Sequence, residues 1–373
     1  MKYYFVAGEA SGDLHASKVI EYLVQLDAQS KFRGWGGDKM ETAGMHLTEH
    51  YRNTSFMGFV EVVKNLPTIL DLLSKCKKDI LAFEPDVLIL VDYPGFNLRI
   101  AEWAFKNDIK VYYYISPQIW AWKENRIHKI KKYIDKMFVI LPFEKTFYDK
   151  WNFKVDFVGH PLLDEIALQD YPTTADFLTE HQLEQKPIVA LLPGSRKQEI
   201  SKMLLIMAEV AEDFPSYQFV VAAAPNIEND FYQSTLQNKK VAIVKNSTYA
   251  LLKNAQAALV TSGTATLETA LFNTPQIVCY KGNPISYHIG KKLIKVKYIS
   301  LVNLILDQPL ITELIQNDLN PKRIKIELTR LLTDQNQKQQ IQDGYATLKS
   351  KLGDWGASKK TASLIFECLN ASI

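Results

Sequence analysis

Short apolar runs alternate with longer amphipathic stretches along most of the chain. In the first half the runs are Tyr3–Ala7, Val87–Val91, Val111–Ile115, Met137–Leu141 and Val155–Val158. They are continuous rather than alternating, which is the pattern of strands buried on both faces of a parallel sheet. The stretches between them, such as Leu14–Leu26 and Leu98–Asn107, have helical spacing and supply the crossovers. A polar stretch, Gln169–Lys186, follows Gly159-His160-Pro161 and ends at Pro187. The alternation then restarts with Ile188–Leu192, Phe219–Ala223, Val241–Val244, Ala257–Val260 and Gln276–Cys279. From about Pro321 the pattern is helical, polar on one face, with no further strand. The expectation is an α/β chain of two doubly wound, Rossmann-like domains, residues 1–165 and 185–345, facing a cleft. A helical C-terminal segment, residues 346–373, should pack back on one of them. Ligands of open parallel sheets bind beyond the carboxyl ends of the strands, so function is expected where strands end and helices begin, in the cleft between the two sheets.

Composition adds little to this picture. At 373 residues the chain is long enough for two cores, and 47% hydrophobic with 23% charged residues is the balance of a globular protein. Cys76, Cys279 and Cys368 are far apart, odd in number and without metal-ligand spacing. They argue against a disulfide framework and for a reducing, cytoplasmic compartment. Met1-Lys2 leads directly into the strand-like Tyr3–Val6 and a glycine turn, so no signal peptide is expected. No apolar run approaches the roughly 20 residues that span a bilayer.

The strand ends carry the chemistry. After the first run comes Ala7-Gly8-Glu9-Ala10-Ser11-Gly12-Asp13. This is either a helix start whose backbone donors, with Ser11 and Gly12, face an anion or a sugar, or a tight strand–helix turn. Gly34-Trp35-Gly36-Gly37 lacks the spacing of a dinucleotide fingerprint. Asp92-Tyr93-Pro94-Gly95-Phe96-Asn97 places an Asp at the end of a buried strand. Asp92 is then either a general base toward a hydroxyl or a cap for the following helix. Ser116-Pro117-Gln118-Ile119-Trp120-Ala121-Trp122 suits sugar or acyl contacts, with core packing of the tryptophans as the competing account.

In the second half Pro193-Gly194-Ser195-Arg196-Lys197 opens a helix. Basic residues there oppose the helix dipole unless an anion is bound, and Arg196 can pair with phosphate oxygens. Ser262-Gly263-Thr264, with Glu268 one turn on, suits a diphosphate and ribose hydroxyls, or forms a capping box, or both. Two phosphate-type turns in one domain and a candidate base in the other make a combination far more specific than any member.

Basic residues cluster at 123–132 (Lys123, Arg126, Lys129, Lys131, Lys132) and at 281–297 (Lys281, Lys291, Lys292, Lys295, Lys297) in a chain of net charge +3. They read either as solvated helix faces or as surfaces for phosphorylated substrate or anionic lipid. The amphipathic stretch from Phe56 to Lys78 is either a crossover helix or an interfacial one. Nucleic acid is not expected as a partner, because no recognised module appears.

The ordered motifs Ala7–Asp13, Met57–Val62, Asp92–Asn97, Ser116–Trp122, Leu141–Glu144, Val158–Pro161, Leu192–Arg196, Ser262–Glu268 and Ser300–Leu304 resemble the lipid-A-disaccharide synthase family over nearly the whole chain. The resemblance implies a GT-B fold and an inverting, metal-independent glycosyl transfer with no cofactor. It implies UDP-2,3-diacylglucosamine as donor and 2,3-diacylglucosamine 1-phosphate as acceptor, on the cytoplasmic face of the inner membrane. Asp92 and Arg196 match the family's catalytic aspartate and essential arginine. Ser11, Gly12, Gly194, Ser195, Ser262, Gly263, Thr264, Glu268 and Asn303 match positions at or near the donor site. Gly95 stands where many members carry a second Asp. The family's C-terminal helices exchange between subunits, which implies a homodimer. The rival readings are another GT-B enzyme acting on a UDP-sugar, such as an epimerase, or a non-catalytic nucleotide-sugar-binding protein.

Overall fold

Continuous apolar strands bury both faces only if helices cover both, and each half of the chain is built this way. The computed structural model describes residues 1–53, 66–167, 169–283, 287 and 296–371. The chain divides into two compact units, residues 1–165 with 352–373, and residues 166–351.

The described residues of the first unit form a seven-stranded parallel sheet. Its strands are β1 (Lys2–Ala7), β2 (Lys31–Gly36), β3 (His46–His50), β4 (Val87–Val91), β5 (Val111–Tyr114), β6 (Lys136–Val139) and β7 (Asp156–Phe157). Their order is β3-β2-β1-β4-β5-β6-β7, so the winding reverses between β1 and β4. Alternate residues feed opposite cores. Tyr4, Val6, Leu88 and Leu90 pack with the helices Leu66–Phe83 and Pro94–Phe105, whereas Tyr3, Phe5, Ile89 and Val91 pack with the helix Ala10–Leu26.

The C-terminal helix Ala357–Asn370 belongs to that second core, where Ala362, Ile365 and Leu369 join Val19, Ile20 and Leu23. Asp164 fixes its start by accepting hydrogen bonds from the Gly356, Ala357 and Ser358 amides, the last at 3.0 Å. Gly159, at φ +94°, lets the chain pass close to the Leu352 and Asp354 carbonyls, and the His160 amide donates to Leu352 O at 3.1 Å. The Val158–Pro161 motif is therefore the seat of the returning C-terminal segment.

The second unit repeats the plan. Its described strands are β8 (Ile188–Leu192), β9 (Gln218–Ala223), β10 (Ala242–Lys245), β11 (Ala255–Thr261), β12 (Gln276–Tyr280) and β13 (Thr312–Ile315). The order β10-β9-β8-β11-β12-β13 is parallel throughout and reverses between β8 and β11.

Three strands have no counterpart among the sequence runs: β2, β3 and β13. The first contains Gly34, whose φ of +151° presses the backbone against Phe5; a Cβ there would meet Phe5 O at 2.0 Å. The second is a half-exposed edge strand with polar residues, and the third is short and half-exposed. None presents a continuous apolar run.

Candidate active site

Both reversal points are flanked by the loops that the sequence marked. In the first unit, Glu9 follows β1 and Asp92 follows β4, and Ala7 is paired with Val91 across those neighbouring strands. Ligands of open α/β sheets bind at such switch points.

Asp92 and Tyr93 adopt consecutive left-handed conformations, φ +45° and +49°. Each costs on the order of 1–3 kcal/mol for a non-glycine residue, so the surroundings must hold them. The Asp92 amide donates to Tyr114 O at 3.0 Å. Its carbonyl accepts from the Tyr113 hydroxyl at 2.5 Å and from Asn97 Nδ2 at 2.8 Å. Asn97 is fully buried, and the same Nδ2 lies 3.2 Å from Val91 O and 3.3 Å from Val6 O. The Tyr93 ring closes over Gly8, where a Cβ would come within 2.3 Å of it. These contacts fix the backbone of the half-buried Asp92, whose carboxylate is within electrostatic reach of Glu9 in the loop after β1. Burial, and after it the Glu9 carboxylate, push its pKa up to about 7, against a smaller lowering by the Tyr93 amide. A carboxyl group tuned close to neutral pH suits proton transfer.

The helix Ala10–Leu26 begins at Glu9 with no side chain capping its N-terminus. Ser11 is exposed in its first turn, and Gly12 is buried against Ala7 and Val91. Asp13 has a different task. Its buried carboxylate accepts from the amides of Gly37 (2.8 Å), Met40 (3.0 Å) and Lys39 (3.2 Å), and so caps the short helix Asp38–Thr42 after β2.

In the second unit, Gly194 at φ +117° turns the chain out of β8 into the helix Lys197–Ala208. Ser195 and Arg196 are exposed there. The Glu199 carboxylate folds back onto the turn, accepting the Ser195 amide at 3.2 Å and the Arg196 guanidinium at 3.2 Å. A Cβ on Gly194 would meet Glu199 Oε2 at 2.5 Å. An internal carboxylate thus occupies the place where the helix start and its arginine favour an anion.

After β11, the Ser262 hydroxyl donates to Ile299 O at 2.7 Å, Gly263 has φ +155° with open space around its α-carbon, and Thr264 begins the helix Ala265–Leu271. Thr264, the residue before the helix, makes no side-chain cap. Glu268 is half-buried one turn in.

Asn303 lies differently from the other matched positions. It is buried, its Oδ1 accepts from Ile311 N at 3.0 Å, and its Nδ2 donates to Ile311 O (2.9 Å) and Glu313 (3.0 Å). Glu313 also holds the Ile299 and Ser300 amides, each at 3.0 Å. Asn303 therefore stabilises the segment that receives Ser262, and its amide is used up within the fold.

The two switch points gather Ser11, Gly12 and Asp92 in one unit and Gly194–Arg196, Ser262–Thr264 and Glu268 in the other. Sequence reasoning assigned no role to Glu9, Asn97 or Tyr113. Glu9 and Asn97 lie within quoted motifs, but Tyr113 sits in a tyrosine run that looks like core. Of the amphipathic stretch, positions 56–65 lie outside the described residues, as do Lys291, Lys292 and Lys295 of the second basic run. Among the described residues no helix is long and apolar enough to cross a membrane.

A family model described as lipid-A-disaccharide synthetase matches residues 3–366. A lipid-A-disaccharide synthase of Syntrophus aciditrophicus is 39% identical over 98% of this chain and 97% of its own. Those of Trichlorobacter lovleyi and Coxiella burnetii are 36% identical over 98% of this chain and 37% identical over 96%, covering 97% and 96% of their own lengths. Among solved structures, the UDP-GlcNAc 2-epimerase of Neisseria meningitidis bound to UDP-GlcNAc superposes with a TM-score of 0.68 at 14% identity, covering 98% of this chain and 100% of its own. The calicheamicin glycosyltransferase CalG4 superposes at 0.62 and 14% identity, covering 99% and 98%. At that identity the likeness is one of fold, the pair of Rossmann-like domains called GT-B.

Proposed function

The chain belongs to the lipid-A-disaccharide synthase family, and from that premise we propose how this glycosyltransferase of lipid A biosynthesis works. The donor is UDP-2,3-diacylglucosamine and the acceptor 2,3-diacylglucosamine 1-phosphate. Asp92 accepts the proton of the acceptor's 6-hydroxyl as that oxygen attacks the donor's anomeric carbon. The new C–O bond forms as the bond to the diphosphate breaks, and UDP leaves with the electron pair. Arg196 and the backbone donors of the Gly194–Ser195 and Ser262–Thr264 turns stabilise the charge on the departing diphosphate. Glu268 accepts hydrogen bonds from the ribose, and Ser11 with Gly12 adds donors at the end of β1. Asn303 acts by positioning, through Ile299 and Ser262. The observation that carries this reading is the pinned, strained Asp92, whose pKa is pushed up to about 7 at the switch point of the first sheet.

The acylated substrates place the enzyme peripherally on the cytoplasmic face of the inner membrane. The helix Leu66–Phe83 supports this with Leu70 and Leu81 exposed among Lys75, Lys77 and Lys78. Exchange of the C-terminal helices would give a homodimer. The test of substrate identity is direct: the purified protein is incubated with the two acylated sugars and assayed for disaccharide 1-phosphate and UDP. Stoichiometric formation of both is expected. UDP release without disaccharide, or epimerisation of an unacylated UDP-sugar, would overturn the assignment. Arg196→Ala is expected to weaken UDP binding at least about tenfold, the loss of a charge-assisted pair; undiminished UDP affinity would remove Arg196 from the diphosphate.

A further inference from the structure

The basic run after β5 separates into two kinds of cation. Lys129 pairs with Glu102 at 2.9 Å, Lys131 donates to Trp151 O at 2.6 Å, and Lys132 lies 5.5 Å from the centre of the Tyr133 ring. These behave as an ordinary helix face. Lys123 and Arg126 are different. Both stand over Trp122, 4.2 and 5.7 Å from its ring centre, and Trp122 is itself 44% exposed. Arg99 joins them, anchored by a bond from its Nη1 to Gly95 O at 3.0 Å. Among the described residues, none of these three forms an ion pair within 4 Å, in contrast to Lys106 and Lys129 beside them. Their mutual repulsion and partial burial are felt: burial and the neighbouring Arg126 lower the Lys123 pKa, and burial and Arg99 lower that of Arg126. Lys123 is moreover held at φ +56°, an uncommon conformation for a residue with a side chain.

The cluster is tied to the candidate base through one residue. The Tyr113 hydroxyl donates to Asp92 O, and the same phenol is within electrostatic reach of both the Asp92 carboxylate and the Arg126 guanidinium. An anion placed among Arg99, Lys123 and Arg126 would therefore be linked, through Tyr113, to the residue proposed to deprotonate the acceptor. A sugar phosphate offers that arrangement, with a hydroxyl at one end of the ring and a dianion at the other.

We propose that Arg99, Lys123 and Arg126 bind the phosphate monoester of the acceptor sugar, with Trp122 packing against the apolar part of the same molecule. The site orients the acceptor so that its hydroxyl meets Asp92. This rests on the transferase reading given above. It commits the patch to the substrate's phosphate rather than to the phosphates of membrane lipids, which offer the same chemistry.

The test uses the full-length enzyme in neutral detergent micelles, with the acylated acceptor in its phosphorylated and dephosphorylated forms. Arg126→Gln and Lys123→Gln should each raise the KM for the phosphorylated acceptor, by about tenfold or more for Arg126. The donor KM should stay within about twofold, and the dephosphorylated acceptor, a poor substrate for the wild type, should be used equally by the variants. An equal loss on both acceptors, or a change in donor KM instead, would overturn the proposal. So would an unchanged acceptor KM combined with lost binding to phosphatidylglycerol vesicles, which would assign the patch to the membrane. Wild-type protein that makes no disaccharide from either acceptor would defeat the transferase reading alone. Titration of the acylated sugar phosphate without donor then tests the cluster separately, with binding expected to the wild type and lost in Arg126→Gln.

Discussion

Asp92 shows how backbone and charge act together at one residue. Its left-handed conformation is maintained by Tyr113 and Asn97, while burial and Glu9 keep its proton bound up to about pH 7. As the proposed base, Asp92 works only when ionised, so kcat/KM should rise with pH with a midpoint near 7. Glu9→Gln removes the negative charge that opposes ionisation, and the acid limb should move to lower pH, though not to the ordinary carboxylate range, because burial is the larger cause. An unmoved limb would show that Glu9 does not act on Asp92. Glu144 titrates in the same window and is the control. It is buried, accepting Leu141 N (3.0 Å) and Trp120 Nε1 (3.1 Å), and burial pushes its pKa up to about 7. Its folded-state pKa lies above that of an unfolded Glu, so its contribution to stability is full below about pH 4.5 and is lost as pH rises through 7. Glu144→Gln should flatten that slope in denaturant melts while leaving the acid limb of activity in place. At the second switch point, Glu199 competes for the groups that should hold the diphosphate. Glu199→Gln should tighten UDP binding by a few-fold; weaker binding would mean that Glu199 instead holds Arg196 ready.

At the scale of elements, the parallel-strand pattern was legible because buried strands need continuous apolar runs, and the loops after β1, β4, β8 and β11 were legible because they combine glycine with hydroxyl or charged residues. β2 and β3 were not, since Gly34 and the polar edge residues serve backbone approach and solvent rather than burial. The role of Asp13 was hidden for a related reason: it caps a helix some 24 to 27 residues away, which spacing within its own motif cannot reveal. Tyr113 was hidden inside a strand whose other tyrosines are core. Asn97 joins the helix Pro94–Phe105 to β1 and β4 through a buried amide. Asn97→Ala should cost on the order of 2–3 kcal/mol in chemical denaturation by leaving buried carbonyls short of a donor. A loss below about 0.5 kcal/mol would contradict the clamp.

For the whole molecule, the chain leaves the first unit after Glu165 and returns to it at Leu352. The final helix completes the core under the helix Ala10–Leu26, so truncation before Ala357 should expose Val19, Ile20 and Leu23 and destabilise the unit that carries Asp92, read as a lower melting temperature. Each unit brings one switch point, the first with the proposed proton acceptor and the second with the turns proposed to hold the diphosphate. The most direct test compares wild type and Asp92→Asn for disaccharide formation above pH 7, with UDP affinity measured on the same preparations. The account predicts unchanged UDP binding and turnover reduced by at least about a hundredfold, the usual contribution of a positioned general base. Near-normal turnover by Asp92→Asn would contradict it.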